Sequence, residues 1–375
     1  MKNILLSTAA LAGLAFVAAP ALADEPALQL GLGGYVSGYA VYTDQDEPTN
    51  TEFRKFDFRK DTEVQLNGEV ALDNGITAGA HMELLADRSD TSSVEESYMY
   101  LSSSWGRVNF GEEDGIAYLI QVAPPTADDK VDGARPDIGT FGLDVGGTLA
   151  YAQDPFGYTN KLTYITPVFN GFQTGFSYTP TVGVVNTPTL SAIGFAGITG
   201  SNLSGITASQ TNNDADQFEN GWELAARYEG SLNAVDFALG AGYSAASLEN
   251  KAASTFFDDD FNEWNAAATA GFGAFDLGAA YLETNNGLDG NFQLGAWVLG
   301  ADYKIGAYKL GLNYVDATQE NGTAGDIDIE RWTAGTVYEW GPGMTFRGAV
   351  QYQTADNGAS DADGTQVTLG TQLNF

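Results

Sequence analysis

Eight carboxylates fall between residues 112 and 144: Glu112, Glu113, Asp114, Asp128, Asp129, Asp132, Asp137 and Asp144. Only Lys130 and Arg135 oppose them there. Gathered in a confined space, such acids attract cations by direct Coulomb interaction. Spread over an external loop, they only solvate it. Asp258-Asp259-Asp260 and Asp356, Asp361 and Asp363 offer the hard oxygen donors that Ca2+ or Mg2+ prefers. They lack EF-hand spacing, and solvation is their simplest role. Acid–base catalysis would have to run through His81, the only histidine. No serine-hydrolase elbow accompanies it, so no enzyme is predicted, and His81 reads as a solvated side chain.

The chain around these residues has 375 residues and a net charge of −33. Such a surface repels nucleic acid and attracts cations. Lys2, the largely apolar run from Ile4 to Ala19, and Ala21-Leu22-Ala23 read as a secretory signal over 1–23. The remaining domain is 24–375. No other segment holds 18 consecutive apolar residues, which argues against a helical membrane protein. Cysteine is absent. A secreted chain without disulfides needs a large, fully bonded fold, and a closed β-barrel is one.

Short alternating segments recur along the chain, about sixteen in all. They run roughly over 28–42, 53–72, 76–85, 93–103, 105–111, 158–166, 172–179, 219–229, 234–244, 261–272, 274–282, 292–303, 306–315, 329–340, 344–353 and 364–375. Tight turns such as Asp73-Asn74-Gly75, Phe169-Asn170-Gly171 and Gly341-Pro342-Gly343 alternate with long acidic connections, among them 112–157, 180–218, 245–260 and 354–363. This predicts an all-β, antiparallel up-and-down transmembrane barrel. Parity supports it: Tyr308, Leu310, Leu312 and Tyr314 share one face, with Lys309 and Asn313 on the other. Likewise Trp222, Leu224 and Tyr228 oppose Glu223 and Arg227. By the same parity His81 points inward. A β-sandwich would not demand a polar interior on strand after strand.

The last strand alternates through Val367, Leu369, Thr371 and Leu373 to Phe375. It resembles the closing strand of bacterial outer-membrane barrels, whose terminal aromatic is read by the barrel-assembly machinery. Tyr98-Met99-Tyr100-Leu101, then Trp105 to Gly111, then Asn160 to Pro167 and Phe169-Asn170-Gly171-Phe172 resemble the Gram-negative general porins in order and spacing, with an alphaproteobacterial flavour. The resemblance spans the mature chain.

It implies an outer-membrane homotrimer of water-filled barrels, in contact with lipopolysaccharide, for passive diffusion of small hydrophilic solutes and ions. A third loop, here roughly 112–157, would fold inward as an eyelet. Glu112, Glu113, Asp114, Asp128, Asp132 and Asp137 would line it, facing a basic wall cluster with Lys55, Arg59 and Arg107 as candidates. Arg227, Arg331 and Arg347 are inward residues of unknown height. Glu95 and Glu112 stand where many relatives carry basic residues, which points to cation selectivity. No cofactor is implied beyond weak Ca2+ or Mg2+ on the acidic loops. A substrate-specific channel and a plugged enzyme or adhesin barrel are the alternatives.

Overall fold

Alternation predicts strands that pair with their sequence neighbours, and the structure, a computed structural model, is built that way. It describes the backbone of 15–17 and residues 28–47, 52–86, 94–142, 145–183, 185, 214–322 and 325–375. The strands are β1 (Ala15–Val17), β2 (Gln29–Gln45), β3 (Phe56–Ala71), β4 (Thr77–Leu85), β5 (Val94–Ser103), β6 (Gly106–Glu112), β7 (Asn160–Ile165), β8 (Phe172–Gly183) and β9 (Phe218–Leu232). They continue as β10 (Val235–Leu248), β11 (Phe261–Phe272), β12 (Phe275–Thr284), β13 (Leu294–Ile305), β14 (Tyr308–Gln319), β15 (Ile327–Gly341), β16 (Met344–Asp356) and β17 (Asp361–Asn374). Two short helices, α1 (Ile116–Leu119) and α2 (Asp129–Asp132), sit between β6 and β7.

From β2 to β17 each strand pairs antiparallel with the next, and β17 pairs back onto β2. At the seam Phe375 N–H donates to Gly34 O at 3.0 Å, and Gly34 N–H donates to Phe375 O at 3.1 Å. Sixteen strands among the described residues thus close a barrel with no free edge. β1 lies against β2, Ala15 opposite Leu32. It falls within the expected signal segment, the rest of which lies outside the described residues.

Parity holds around the ring. Trp222, Leu224, Leu310, Leu312, Phe346 and Val350 are exposed on the outer face, while Glu223, Asn313 and Gln351 are buried inside. The outer aromatics form two rows. One joins Tyr228 to Phe237, Phe275 to Tyr303, and Tyr308 to Tyr338, with ring centroids 5.8, 4.4 and 4.6 Å apart. The other joins Tyr178 to Trp222, Tyr281 to Trp297, and Tyr314 to Trp332, at 4.4, 4.6 and 4.4 Å. On β14 these rows bracket Leu310 and Leu312, which places the leucines mid-band. Two aromatic girdles flanking an apolar band are what a bilayer selects.

The tight turns fold as the sequence predicts. Asn170 (φ 51°) and Gly171 (φ 87°) occupy the left-handed region that a two-residue hairpin requires. Several long connections are shorter than expected. The 354–363 connection reduces to a hairpin whose Asn357 N–H donates to Ser360 O at 3.2 Å, because β16 and β17 continue to Asp356 and from Asp361. β10 and β14 likewise run on to Leu248 and Gln319. Hydrophobic alternation reports burial of one face; ladder pairing continues beyond that band, so polar strand ends carry no strand signal in the sequence.

Leu310→Arg should lower folding free energy in lipid vesicles by about 2–4 kcal/mol, with Leu310→Gln costing less. Urea titration checks this, and equal midpoints for both variants and wild type would contradict the outward band.

Candidate functional site

The chain leaves the ladder after Glu112 and rejoins it at Asn160. Between these points it lies inside the ring and travels along the inner wall twice. On the first pass Ile116 N–H donates to Ser177 Oγ of β8 at 2.9 Å. α1 then packs with Ile120 against Ala225 of β9. Val122 reaches Gly240, Pro124 and Pro125 reach Gly278 and Gly300, and Ala127 reaches Gly311 and Gly335. These glycines lie on β10, β12, β13, β14 and β15, on the inward face. A Cβ at Gly278 would sit 2.8 Å from Pro125 Cδ, and one at Gly311 2.8 Å from Ala127 Cβ. The loop backbone thus occupies the space that side chains would fill.

On the return pass the wall's amides hold the loop's carbonyls. Gln351 Nε2 donates to Val131 O at 3.1 Å. Gln353 Nε2 donates to Val145 O and Gly147 O at 2.6 and 2.9 Å. The Arg331 guanidinium joins them, its Nη1 donating to Leu149 O at 3.2 Å, while the loop's own Gln153 Nε2 donates the other way, to Glu263 O of β11, at 3.0 Å. Thr140 and Gly142 N–H groups donate to Gln366 and Gln45. A buried loop must satisfy its backbone polar groups. The inward glutamines do so without charge. Neither they nor the glycine row was recognised from sequence; the signal available was small or amide residues at inward positions of consecutive strands.

Ion pairs pin the ends and the bend. Asp128 accepts from Arg347 at 2.6 Å and from the Tyr39 hydroxyl at 2.9 Å. Lys130 contacts Asp61 at 2.5 Å and Asp137 at 3.1 Å. Arg135 bridges Asp114 at 3.0 Å and Asp154 at 2.6 Å. Lys161 donates to Gly157 O at 2.5 Å and also to Glu113 O. Burial pushes several loop acids upward. Asp132 rises to about 7, opposed by its bond to Thr126 and by Arg331. Glu113 also rises to about 7 through burial, opposed by Arg107 and Lys161. Burial raises Asp137 too, while Lys130 draws it back.

The six expected eyelet acids therefore divide. Glu113, Asp114, Asp128 and Asp132 are buried where the loop meets the wall. Asp137 stays open, its side chain 43% exposed. Glu112 sits on the outward parity of β6 with Phe110 and accepts from Asn160 Nδ2 at 3.4 Å. Asp129 is the more open loop carboxylate, with 78% side-chain exposure, and lies 3.6 Å from Arg347. Asp144 lies outside the described residues.

Of the basic candidates, Arg107 faces the loop's root, its guanidinium 3.8 Å from the Tyr100 ring centre and its Nε donating to Asn109 at 2.6 Å. Arg59 lies 3.5 Å from Asp57. Lys55 is at the rim, 2.6 Å from Asp44. Arg227 pairs with Glu229. His81 is largely buried between Asn67, Glu83 and Glu96 rather than solvated. Of the rim acids, Asp258 and Asp260 accept backbone N–H groups of Asp289 and Leu248, and Asp356 that of Gly358.

A polar-lined barrel with a loop clamped inside it is the architecture of a constricted channel. Residues 7–358 match the family model described as Gram-negative porin. The chain belongs to the Gram-negative porin family. Solved structures agree on the fold. The anion-selective porin from Comamonas acidovorans is 17% identical, aligns over 93% of this chain and 100% of its own, and gives a TM-score of 0.61. A mutant of the Rh. blastica porin is 16% identical over 92% and 100%, with a TM-score of 0.57. An outer membrane protein of Vibrio cholerae lacking its loop L8 is 15% identical over 93% and 99%, also at 0.57. No curated protein sequence matches. The barrel is thus an outer-membrane channel and not an enzyme.

Two outcomes follow from the clamp. Gly300→Val puts side-chain atoms where Pro125 O and Pro124 lie, so the barrel should assemble while single-channel conductance changes; unchanged conductance would show that this porin's loop does not depend on the glycine row. Asp132 supplies a pH dependence. Its carboxyl is held up at about 7 in the fold against an ordinary 3.8, so the folded protein binds the proton more tightly than the unfolded chain. The contribution is full below 3.8 and is lost as pH rises through about 7. The groups facing it are Arg331, Asp128, Asp129 and Tyr151. Open-channel current noise should grow from acid to mildly alkaline pH, and Asp132→Asn should flatten that dependence.

Proposed function

We propose that this porin passes small hydrophilic solutes and ions by passive diffusion, with a preference for cations. One observation carries the reading: the loop's own cations are already neutralised. Lys130 is held by Asp61 and Asp137, and Arg135 by Asp114 and Asp154. On the wall, Arg347 is held by Asp128. The pairs hold more acids than bases: Asp137 and Asp129 keep 43% and 78% side-chain exposure beside Lys130 and Arg347, and on the wall formed by β3, β4 and β5 Glu63, Glu83 and Glu95 gather, with Glu96 joining Glu83 beside His81. On this reading the acid excess makes the field in the passage negative, acting on ions within roughly a Debye length, about 10 Å at 0.1 M and 3 Å at 1 M salt. The Comamonas porin is named anion-selective at 17% identity. Shared fold at that distance leaves the wall's charge free to differ. Trimeric assembly, lipopolysaccharide contact and recognition of Phe375 by the barrel-assembly machinery belong to the same proposal; the strand-end position of Phe375 in the seam supports the last.

The reversal potential in a KCl gradient tests the preference. Wild type should be cation-selective at low salt and less so at high salt. Asp129→Asn with Asp137→Asn should move the potential toward zero. An anion-selective wild type would overturn the electrostatic reading and leave the channel standing.

A further inference from the structure

We propose that the lumenal wall carries a binding site for a divalent transition-metal ion of the Zn2+ class, formed by His81, Glu83 and Glu96. One donor atom from each lies within 4.8 Å of the other two. His81 Nε2 is 2.9 Å from Glu83 Oε1 and 3.8 Å from Glu96 Oε2. The second separation is too long for a hydrogen bond. Two donors at ordinary Zn–N and Zn–O lengths on a tetrahedral ion stand about 3.4 Å apart, so small side-chain rotations bring all three onto one ion.

The surroundings favour metal over a simple ion pair. His81 Nδ1 lies 2.7 Å from Asn67 Oδ1. An N–H there donates to the amide oxygen and leaves the Nε2 lone pair facing the carboxylates, the arrangement that fixes a metal-ligating imidazole. Glu96 is more than nine-tenths buried and tied to the loop's root by Asp114 N–H at 3.3 Å. A β-bulge lies beside it: the β4–β5 register steps from Glu83 opposite Glu96 to Leu84 opposite Val94, so Glu95 is the extra residue. Bulges re-aim side chains next to functional sites. Here the carboxylate of Glu95 joins Glu63 and Glu83 in a second, all-oxygen group that shares Glu83. Two carboxylates thus face one imidazole, and two more adjoin Glu83, which favours a dication. The imidazole selects a transition metal over Mg2+ or Ca2+. Because Asp114 lies at the loop's root, an ion held here sits where the inward loop leaves the wall.

Calorimetry with ZnCl2 on the detergent-solubilised, assembled protein tests the site without relying on conduction. Saturable Zn2+ binding that MgCl2 at equal concentration does not reproduce is expected. His81→Gln should abolish it, and Glu83→Gln is the second variant should the first fail to assemble. Asn67→Ala, a positioning change, should weaken it about tenfold. Equal responses to Zn2+ and Mg2+, or full binding by His81→Gln, would overturn the proposal. In planar bilayers Zn2+ should reduce cation current in wild type only. Binding without an effect on current would leave the site in place and count against the proposed conduction path.

Discussion

The rest of this structure depends on closure of one hydrogen-bonded ring. Within hydrocarbon no water satisfies an open strand edge, so a spanning sheet must return to its first strand. The exchange between Phe375 and Gly34 completes that return. Once the ring is closed, period two forces every strand to commit one face to lipid and one to the lumen. The apolar band, the aromatic girdles and the polar interior are then consequences of a single geometric condition.

A polar lumen must then be narrowed without being sealed. The inner wall solves this by leaving side chains out. Gly278 and Gly300 stand directly opposite each other, as do Gly311 and Gly335, and the Pro124–Ala127 backbone lies in the resulting trough. Gln351, Gln353 and Gln366 meet the loop's polar backbone groups on the return pass. Neutral amides suit this task, since an unpaired buried charge costs several kcal/mol. The ion pairs are kept for the bend and ends, where one linkage fixes a long stretch of loop.

Strand number, parity and signature turns were legible in the sequence because each follows from a period or a turn residue; 112–157 was legible as a long acidic connection, and its inward course only through the family resemblance. Strand ends were not: Thr354 and Asp328 continue a ladder that hydrophobicity no longer marks. The site was legible in composition and not in position. Asp114, Asp128 and Asp132 were recognised as acids of the loop, but which acids face water depends on which ones the wall's Arg347, the loop's own Arg135 and Thr126 engage. Those partners are distant in sequence or indistinguishable by type. Glu112 illustrates the same limit at one-residue scale: a neighbour of lumenal Gly111, it belongs to the opposite face. His81 was placed on the correct face, yet its burial required Glu96, brought beside it by pairing of β4 with β5, and a bulge that alternation does not announce.

The same reasoning bears on selectivity across the family. The barrel is set by backbone closure and parity, and neither specifies the sign of a lumenal charge. An inward position accepts Lys or Glu alike, since both are solvated or paired there and both are excluded from the lipid face. Two porins can therefore share a fold at 17% identity and differ in the field they impose. On the proposed reading, the sign follows from the charge left after the loop has been fastened. In this chain the fastening consumes Lys130, Arg135 and Arg347, whereas carboxylates remain on both the loop and the facing wall. The structural need to hold the loop and the electrostatics of the passage are thus coupled, because each cation spent as a clamp is unavailable to attract anions.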